Sequence, residues 1–400
     1  MLAAAVAAAL TVGLVTGFSL AGRESTASRT AQGSEALYAE VQDLSFSLAD
    51  ANATAATALL IGPETPSQFS SRYNSDIAEA EGLLAAASQR VTGDAYASGQ
   101  LRSVAEHIPE YTGLIGQALA DNRLGYPVAG AYLRQASLLL TGSMLVETGN
   151  VVAEQQSSTN GGIGAASEFP WWVLALGVLA AFVLWWVSGY LAELSHRRIN
   201  LGLLGAAVVV IGLLGWSLYA FGGAGIASSN ARNDFGWVSL TQDETSQLAL
   251  AETYVALQQI DRGEDQGADA KAAAKALGAA EPVDGGTSSA EAAEKAYSAL
   301  QSCANKAIDL AADGNYQQAI TATVGNGAKV GEGGCEPDAN TLHEDLLKVF
   351  DESQANFDAD MTSLASQYAG SGALPLGLAF GIAGAAAAAY GVNRRLAEFR

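Results

Sequence analysis

PWWVLALGVLAAFVLWWVSGYLAELSHRRINLGLLGAAVVVIGLLGWSLYAF, residues 170–221, holds two apolar runs separated by one polar knot, ELSHRRIN. Crossing the hydrocarbon core of a bilayer as a helix takes about 20 apolar residues, and each run reaches that length. The stretch therefore predicts two membrane helices, 169–192 and 201–223, joined by a tight hairpin at 193–200. Working outward, 1–22 and 372–392 are equally free of charge until their ends. Only 15% of the chain is charged, against about 25% in soluble proteins, as four spans require.

The segment 1–22 reads as a retained span and not a cleaved signal. It has no basic n-region and runs without a breaker into a helical heptad pattern. A start further upstream, carrying basic residues, is expected.

Charge sets the expected orientation. The hairpin carries His196, Arg197 and Arg198, and the tail 393–400 carries Arg394, Arg395 and Arg400. These short pieces are net +3, whereas 23–168 is −9 and 224–371 is −15. Short basic loops stay cytoplasmic, so both termini are expected inside and the two long stretches outside. His196, Arg197, Arg198, Arg394 and Arg395 are the candidate cytoplasmic output or anchor residues. Trp171, Trp172, Trp185, Trp186 and Tyr190 bracket the second span as an aromatic belt. A net charge of −21 argues against nucleic acid as a partner, since phosphates need cations to neutralise them.

Strand patterns are nearly absent, so the fold class is all-α. In 23–168, Leu37, Val41, Leu44, Leu48, Ala51 and Ala55 alternate spacings of four and three, a heptad seam. That predicts one helix over 24–61, continuing the first span and stopped by GPETPS at 62–67. Further helices are predicted over 68–90, with Ile77, Leu83 and Leu84 inward; over 95–121, capped by Asp94; and over 128–157, carrying Leu133, Leu138, Leu140, Met144 and Val151. The Gly-rich NGGIGAAS then leads to the second span. Four antiparallel helices make a four-helix bundle. The stretch 224–371 repeats the plan, with helices over 233–261, 268–279, 288–312, 316–324 and 340–368. Ser288 and Glu291 read as a capping box. The expected architecture is two tandem extracytoplasmic four-helix bundles, 23–168 and 224–371, each flanked by spans.

Cys303 and Cys335 both fall in the second bundle, and two cysteines on an oxidising face predict a disulfide. No HExxH, GxSxG, Walker A or CxxC motif occurs. HEDLLKVFDE, 343–352, reads as a solvated acidic face and not a metal site, and GEDQGAD, 263–269, rests on composition alone. We expect no catalytic residues, cofactor or metal, and no enzyme. Arg72, Arg102, Arg123 and Arg134 lie along the first bundle, where an arginine can clamp a carboxylate but is more simply a surface residue. GLAFG, 377–381, has the GxxxG spacing that permits close approach of membrane helices.

Each half resembles the four-helix-bundle sensor domain of bacterial chemoreceptors and histidine kinases. LYAEVQDLSFSLADANATAATALL, 37–60, and the returning helix 340–368 carry the likeness. No HAMP, kinase or signalling domain follows either half. The doubled plan, with WWVSGYLAELSHRRINLGLL (185–204) at its joint, resembles the family of actinobacterial four-span membrane proteins encoded beside a glutamine-binding-type lipoprotein and protein kinase G. That resemblance implies a relay: the solute-binding lipoprotein senses aspartate or glutamate outside, the membrane protein receives the signal, and a soluble Ser/Thr kinase responds inside. It identifies no ligand-binding residue. The other reading is a structural scaffold or accessory subunit of a cell-envelope complex.

Overall fold

A computed structural model describes residues 2–91, 93–195, 201–262, 267–282, 286–326, 333–368 and 372–397. Among them the chain is all-α. Helix α1 (Leu2–Arg29) passes through a π-helical segment, Thr30–Glu35, into α2 (Ala36–Ile61). Then come α3 (Ser67–Arg90), α4 (Ala95–Arg123) and α5 (Ala129–Leu139). A second π segment, Leu140–Met144, joins α5 to α6 (Leu145–Ser167). Next are α7 (Trp171–Ser195), α8 (Leu201–Ile260), α9 (Ala268–Ala279), α10 (Ser288–Ala312), α11 (Tyr316–Val324), α12 (Glu336–Gln367) and α13 (Ala373–Ala397).

The predicted helices of the polar stretches are present, although the one over 128–157 runs on to Ser167 and the one over 233–261 is the end of α8, which begins at Leu201; local chemistry explains several of their ends. Asp94 Oδ1 accepts from the backbone N–H groups of Tyr96 and Ala97 at 3.0 Å, capping α4 as its sequence position predicts. Gly62 stops α2 at φ 95°, a left-handed value that glycine adopts without strain. Three expectations need correction. The cap of α10 is Thr287, not Ser288: its hydroxyl accepts from Ala290 N at 3.2 Å. NGGIGAAS is not a linker but the last turns of α6. Leu138, grouped with the inward residues of its helix, is 64% exposed.

The chain divides into two compact units. The first is residues 1–32, 158–233 and 356–400. It contains the apolar parts of four helices long and apolar enough to cross a membrane, which suggests a multi-pass membrane protein. Its pairing rests on glycine. A Cβ built on Gly13 would stand 2.5 Å from Gly377 O and 2.6 Å from Gly381 Cα, so α1 and α13 approach backbone to backbone. Gly202 of α8 lies as tightly against Gly391. The GxxxG pair of α13 is thus a contact face, and dispersion across it replaces the hydrophobic drive that lipid removes. Large side chains point away from these seams: Trp171, Trp185, Leu201 and Tyr219 are all more than 70% exposed, as a lipid-facing surface requires.

The second unit is residues 33–157 and 234–355. All six heptad residues, Leu37, Val41, Leu44, Leu48, Ala51 and Ala55, are buried. They join one core with Leu101, Val104, Ile115, Leu133 and Leu140, and also with Ala256, Leu257 and Val324 of the later stretch. A second cluster gathers Leu248, Leu277, Tyr297, Leu300, Leu342 and Leu346. At the centre Asn52 is wholly buried. Its Nδ2 donates to Ser137 Oγ at 3.0 Å and to Thr253 Oγ1 at 3.3 Å. Its Oδ1 accepts from Tyr111 OH at 3.3 Å and Ser137 Oγ at 3.2 Å. One amide thus binds α2, α4, α5 and α8. Both polar stretches build this one unit.

Candidate functional site

Several charged residues of this unit converge on one place. Asp50 lies on α2 two residues before the buried Asn52, and so on a different face of the helix. Arg72 of α3 takes it in a forked pair, Nη2–Oδ1 at 2.8 Å and Nε–Oδ2 at 3.3 Å. The third nitrogen of the same guanidinium, Nη1, reaches Glu336 Oε1 at the start of α12, at 3.5 Å. One arginine therefore ties the earlier polar stretch to the later one.

Beside this pair lies a cavity of about 40 Å³, enough for about three water molecules. Its wall is mostly apolar: Leu248, Val255, Leu277, Leu300 and the Cys335 end of a disulfide. Its charged lining residues are Glu252 and Glu336. Cys303 and Cys335 are bonded, with a sequence separation of 32 and Cα atoms 5.6 Å apart.

Three effects shift the protonation of these groups, and burial dominates. Burial pushes the Glu252 carboxyl up to about 8, the charges of Glu336 and Asp50 add to it, and Arg72 opposes. Glu336 is also raised, by burial first, with Arg72 working against. Asp76 of α3 is pushed up to about 7 by burial and by Asp50, and its Oδ2 is buried with no hydrogen-bond partner. Burial works against the charge on Arg72, but Asp50, Glu252 and Glu336 outweigh it and hold the guanidinium protonated. His343 of α12 is lowered by burial and stacks on Phe46, ring centroids 5.0 Å apart.

The sequence candidates separate clearly. Of the four arginines, Arg72 sits in this cluster. Arg134 is committed to Asp261 and, at 2.7 Å, to Asp269. Arg102 is exposed, and Arg123 lines a small cavity with Phe69 and Tyr73. HEDLLKVFDE is not wholly a solvated face: His343 is half-buried and Asp345 buried. His107 is 3.3 Å from Glu147, which also accepts from Ser103 at 2.6 Å, a contact between α4 and α6. His196, Arg197 and Arg198 lie outside the described residues, as does the side chain of Arg395. Arg394 is exposed on α13. Among the described residues no group of three or more His, Cys, Asp or Glu is arranged to hold a metal ion. Glu252 and Glu336 are what sequence reasoning missed. Each is an ordinary glutamate in an acidic chain, and only folding brings it to Arg72.

Residues 26–162 match the model of the actinobacterial sensor domain. The match begins inside α1 and ends inside α6, so it includes Asp50, Arg72 and Asp76 but not Glu252 or Glu336. No curated protein and no solved structure matches the chain. The chain thus carries a sensor domain in an all-helical protein with four candidate membrane spans, and no catalytic family is identified.

Proposed function

We infer that the protein is a non-enzymatic transmembrane relay. The two polar stretches are two four-helix bundles paired within one chain on the extracytoplasmic side. They receive a signal of amino-acid availability from a solute-binding lipoprotein. The short basic pieces at 193–200 and 393–400 pass it to a cytoplasmic Ser/Thr kinase, through His196, Arg197, Arg198, Arg394 and Arg395.

One observation carries this reading. Helix α8 runs without a break for 60 residues, from an apolar span into the polar unit, about 90 Å at 1.5 Å per residue. A helix without a joint transmits a shift of an ångström or two from end to end, the scale on which packed helices slide. The sensor-domain match at 26–162 supplies the receiving end. A static scaffold needs neither feature, so the relay is the better account of both.

The test is affinity purification of the full chain from native membranes in mild detergent, with and without added glutamate or aspartate. Recovery of a solute-binding lipoprotein together with a Ser/Thr kinase, altered by the amino acid, is the expected result. Recovery of envelope-assembly proteins alone, indifferent to amino acids, replaces the relay with the scaffold.

A further inference from the structure

We propose that the junction of α2, α3, α8 and α12 around Arg72 is a proton-operated latch. It is closed while Glu252 and Glu336 hold a proton between them, and it opens when that proton leaves. The proposal deepens the relay reading by naming a regulator of the sensing unit, and it rests on that reading only for its output.

The argument is one of charge count in a confined place. Glu252 is faced from α2 by Asp50, from α3 by Arg72 and from α12 by Glu336, and Asp76 of α3 and His343 of α12 lie in the field of the same Asp50–Arg72 pair. Helices α9 and α10 close the cavity with Leu277, Leu300 and Ala304, which carry no charge, and α11 adds the Thr323 hydroxyl. Burial lowers the His343 imidazole below its ordinary value. Among the described residues, Arg72 is the one arginine or lysine that acts on Glu252, and its forked bond goes to Asp50. With every carboxyl ionised, Asp50, Asp76, Glu252 and Glu336 confront one guanidinium. A proton on the glutamates relieves that imbalance, and so does separation of α12 from α3 and α8. These are two alternative responses to one repulsion, which is the condition for a switch.

The surroundings suit the opening step. The cavity beside Glu252 gives water an entry to the carboxylate. The contact from Glu336 to Arg72, at 3.5 Å, is the longest in the cluster. Cys335 is bonded to Cys303 of α10, so the residue before Glu336 is tied to that helix. Helix α12 continues to Gln367.

The sign is fixed. In the closed form the carboxyl is raised to about 8, and once hydrated it returns to an ordinary glutamic value near 4.5. Closed molecules bind more protons between those limits, so rising pH favours opening, by about tenfold per pH unit for one proton released.

The experiment is hydrogen exchange on the full chain in lipid nanodiscs, without any partner protein, between pH 5.5 and 7.5. Rates are corrected for the intrinsic pH dependence of exchange. The readout is the peptide 336–345, with 101–115 of α4 as the reference for an intact fold. The wild type should open about tenfold more per pH unit at 336–345 and stay constant at 101–115. Glu252→Gln should abolish the slope and stay closed at pH 7.5. If that variant loses protection at 101–115, Glu336→Gln replaces it: one like charge is gone, so opening at pH 7.5 should fall at least threefold. A flat wild-type profile, or a slope that survives in the folded variant, overturns the latch. Because no partner is present, failure to recover a lipoprotein or a kinase leaves this result untouched, and a flat profile leaves the relay standing.

Discussion

Asn52→Leu tests the centre of the polar unit. Leucine has nearly the shape of asparagine, so the substitution removes hydrogen bonds and leaves no large void. Two buried hydroxyls then lose what Asn52 gave them. Tyr111 OH is wholly buried with Asn52 Oδ1 as its recorded acceptor, and Ser137 Oγ both donates to and accepts from the same amide. Thr253 still donates to Ala249 O at 3.0 Å, so it adds little. An orphaned buried polar group costs about 1–3 kcal/mol, giving about 2–6 kcal/mol for the two. For a unit of this size about 1 kcal/mol moves the midpoint by about 2–4 °C, so a fall on the order of 10 °C is expected. The assay is loss of helical circular dichroism on heating in detergent, at one fixed scan rate, because membrane proteins unfold irreversibly and only matched scans compare. The control is the triple variant Asn52→Leu, Tyr111→Phe, Ser137→Ala. It removes every orphan and should recover most of the loss, since replacing both partners of a buried hydrogen bond by apolar groups is nearly neutral. A midpoint within about 2 °C of wild type for the single variant, or a triple variant worse than the single, refutes the reasoning.

Other outcomes follow from the same structure. Cys303→Ser with Cys335→Ser opens a 32-residue loop and should cost about 3–4 kcal/mol on the chain-entropy model. Heating scans with and without reductant measure it: reductant should lower the wild-type midpoint and leave the variant unmoved. Gly377→Leu drives a side chain into Gly13 O, 2.6 Å from where its Cβ would stand. It should reduce the yield of monodisperse protein on gel filtration, whereas the same change at Gly212, which faces open space, should not. Burial pushes Asp43 up to about 6, with Gln242 donating to it at 3.2 Å. Its folded value lies above the ordinary one, so the proton it holds stabilises at low pH and that contribution is lost as pH rises through about 4 to 6. Asp43→Asn should therefore flatten the stability profile across that window, and an unchanged profile counts against it.

What could be read in advance is what depends on near neighbours in sequence. The spacing of Leu37, Val41, Leu44 and Leu48 fixes a buried seam, and Asp94 announces the start of α4, because helix faces and caps are set within a few residues. NGGIGAAS misled for a complementary reason. Glycine usually weakens a helix, but here it lets one pack close: a Cβ on Gly162 would stand 2.0 Å from Thr30 Oγ1. TAQGSE and LTGSM look like any helical sequence, so their π turns left no signal. The site was half legible. Arg72 drew notice as a cation in an acidic bundle, but its partner Glu336 lies 264 residues away, and no periodicity reports such a meeting.

That one unit is assembled from residues 33–157 and 234–355 has a consequence for biosynthesis. The earlier segment leaves the ribosome long before Ala256, Leu257 and Val324, which complete its core. Until then its inner face stands open and Asn52 lacks the Thr253 hydroxyl. Two further spans must be inserted in the interval, and the nascent chain has to be kept from pairing with its neighbours meanwhile. A fragment ending after the second span would be an unfinished fold and not a small sensor, so gene truncations in this protein should be triaged by quality control before they report on signalling.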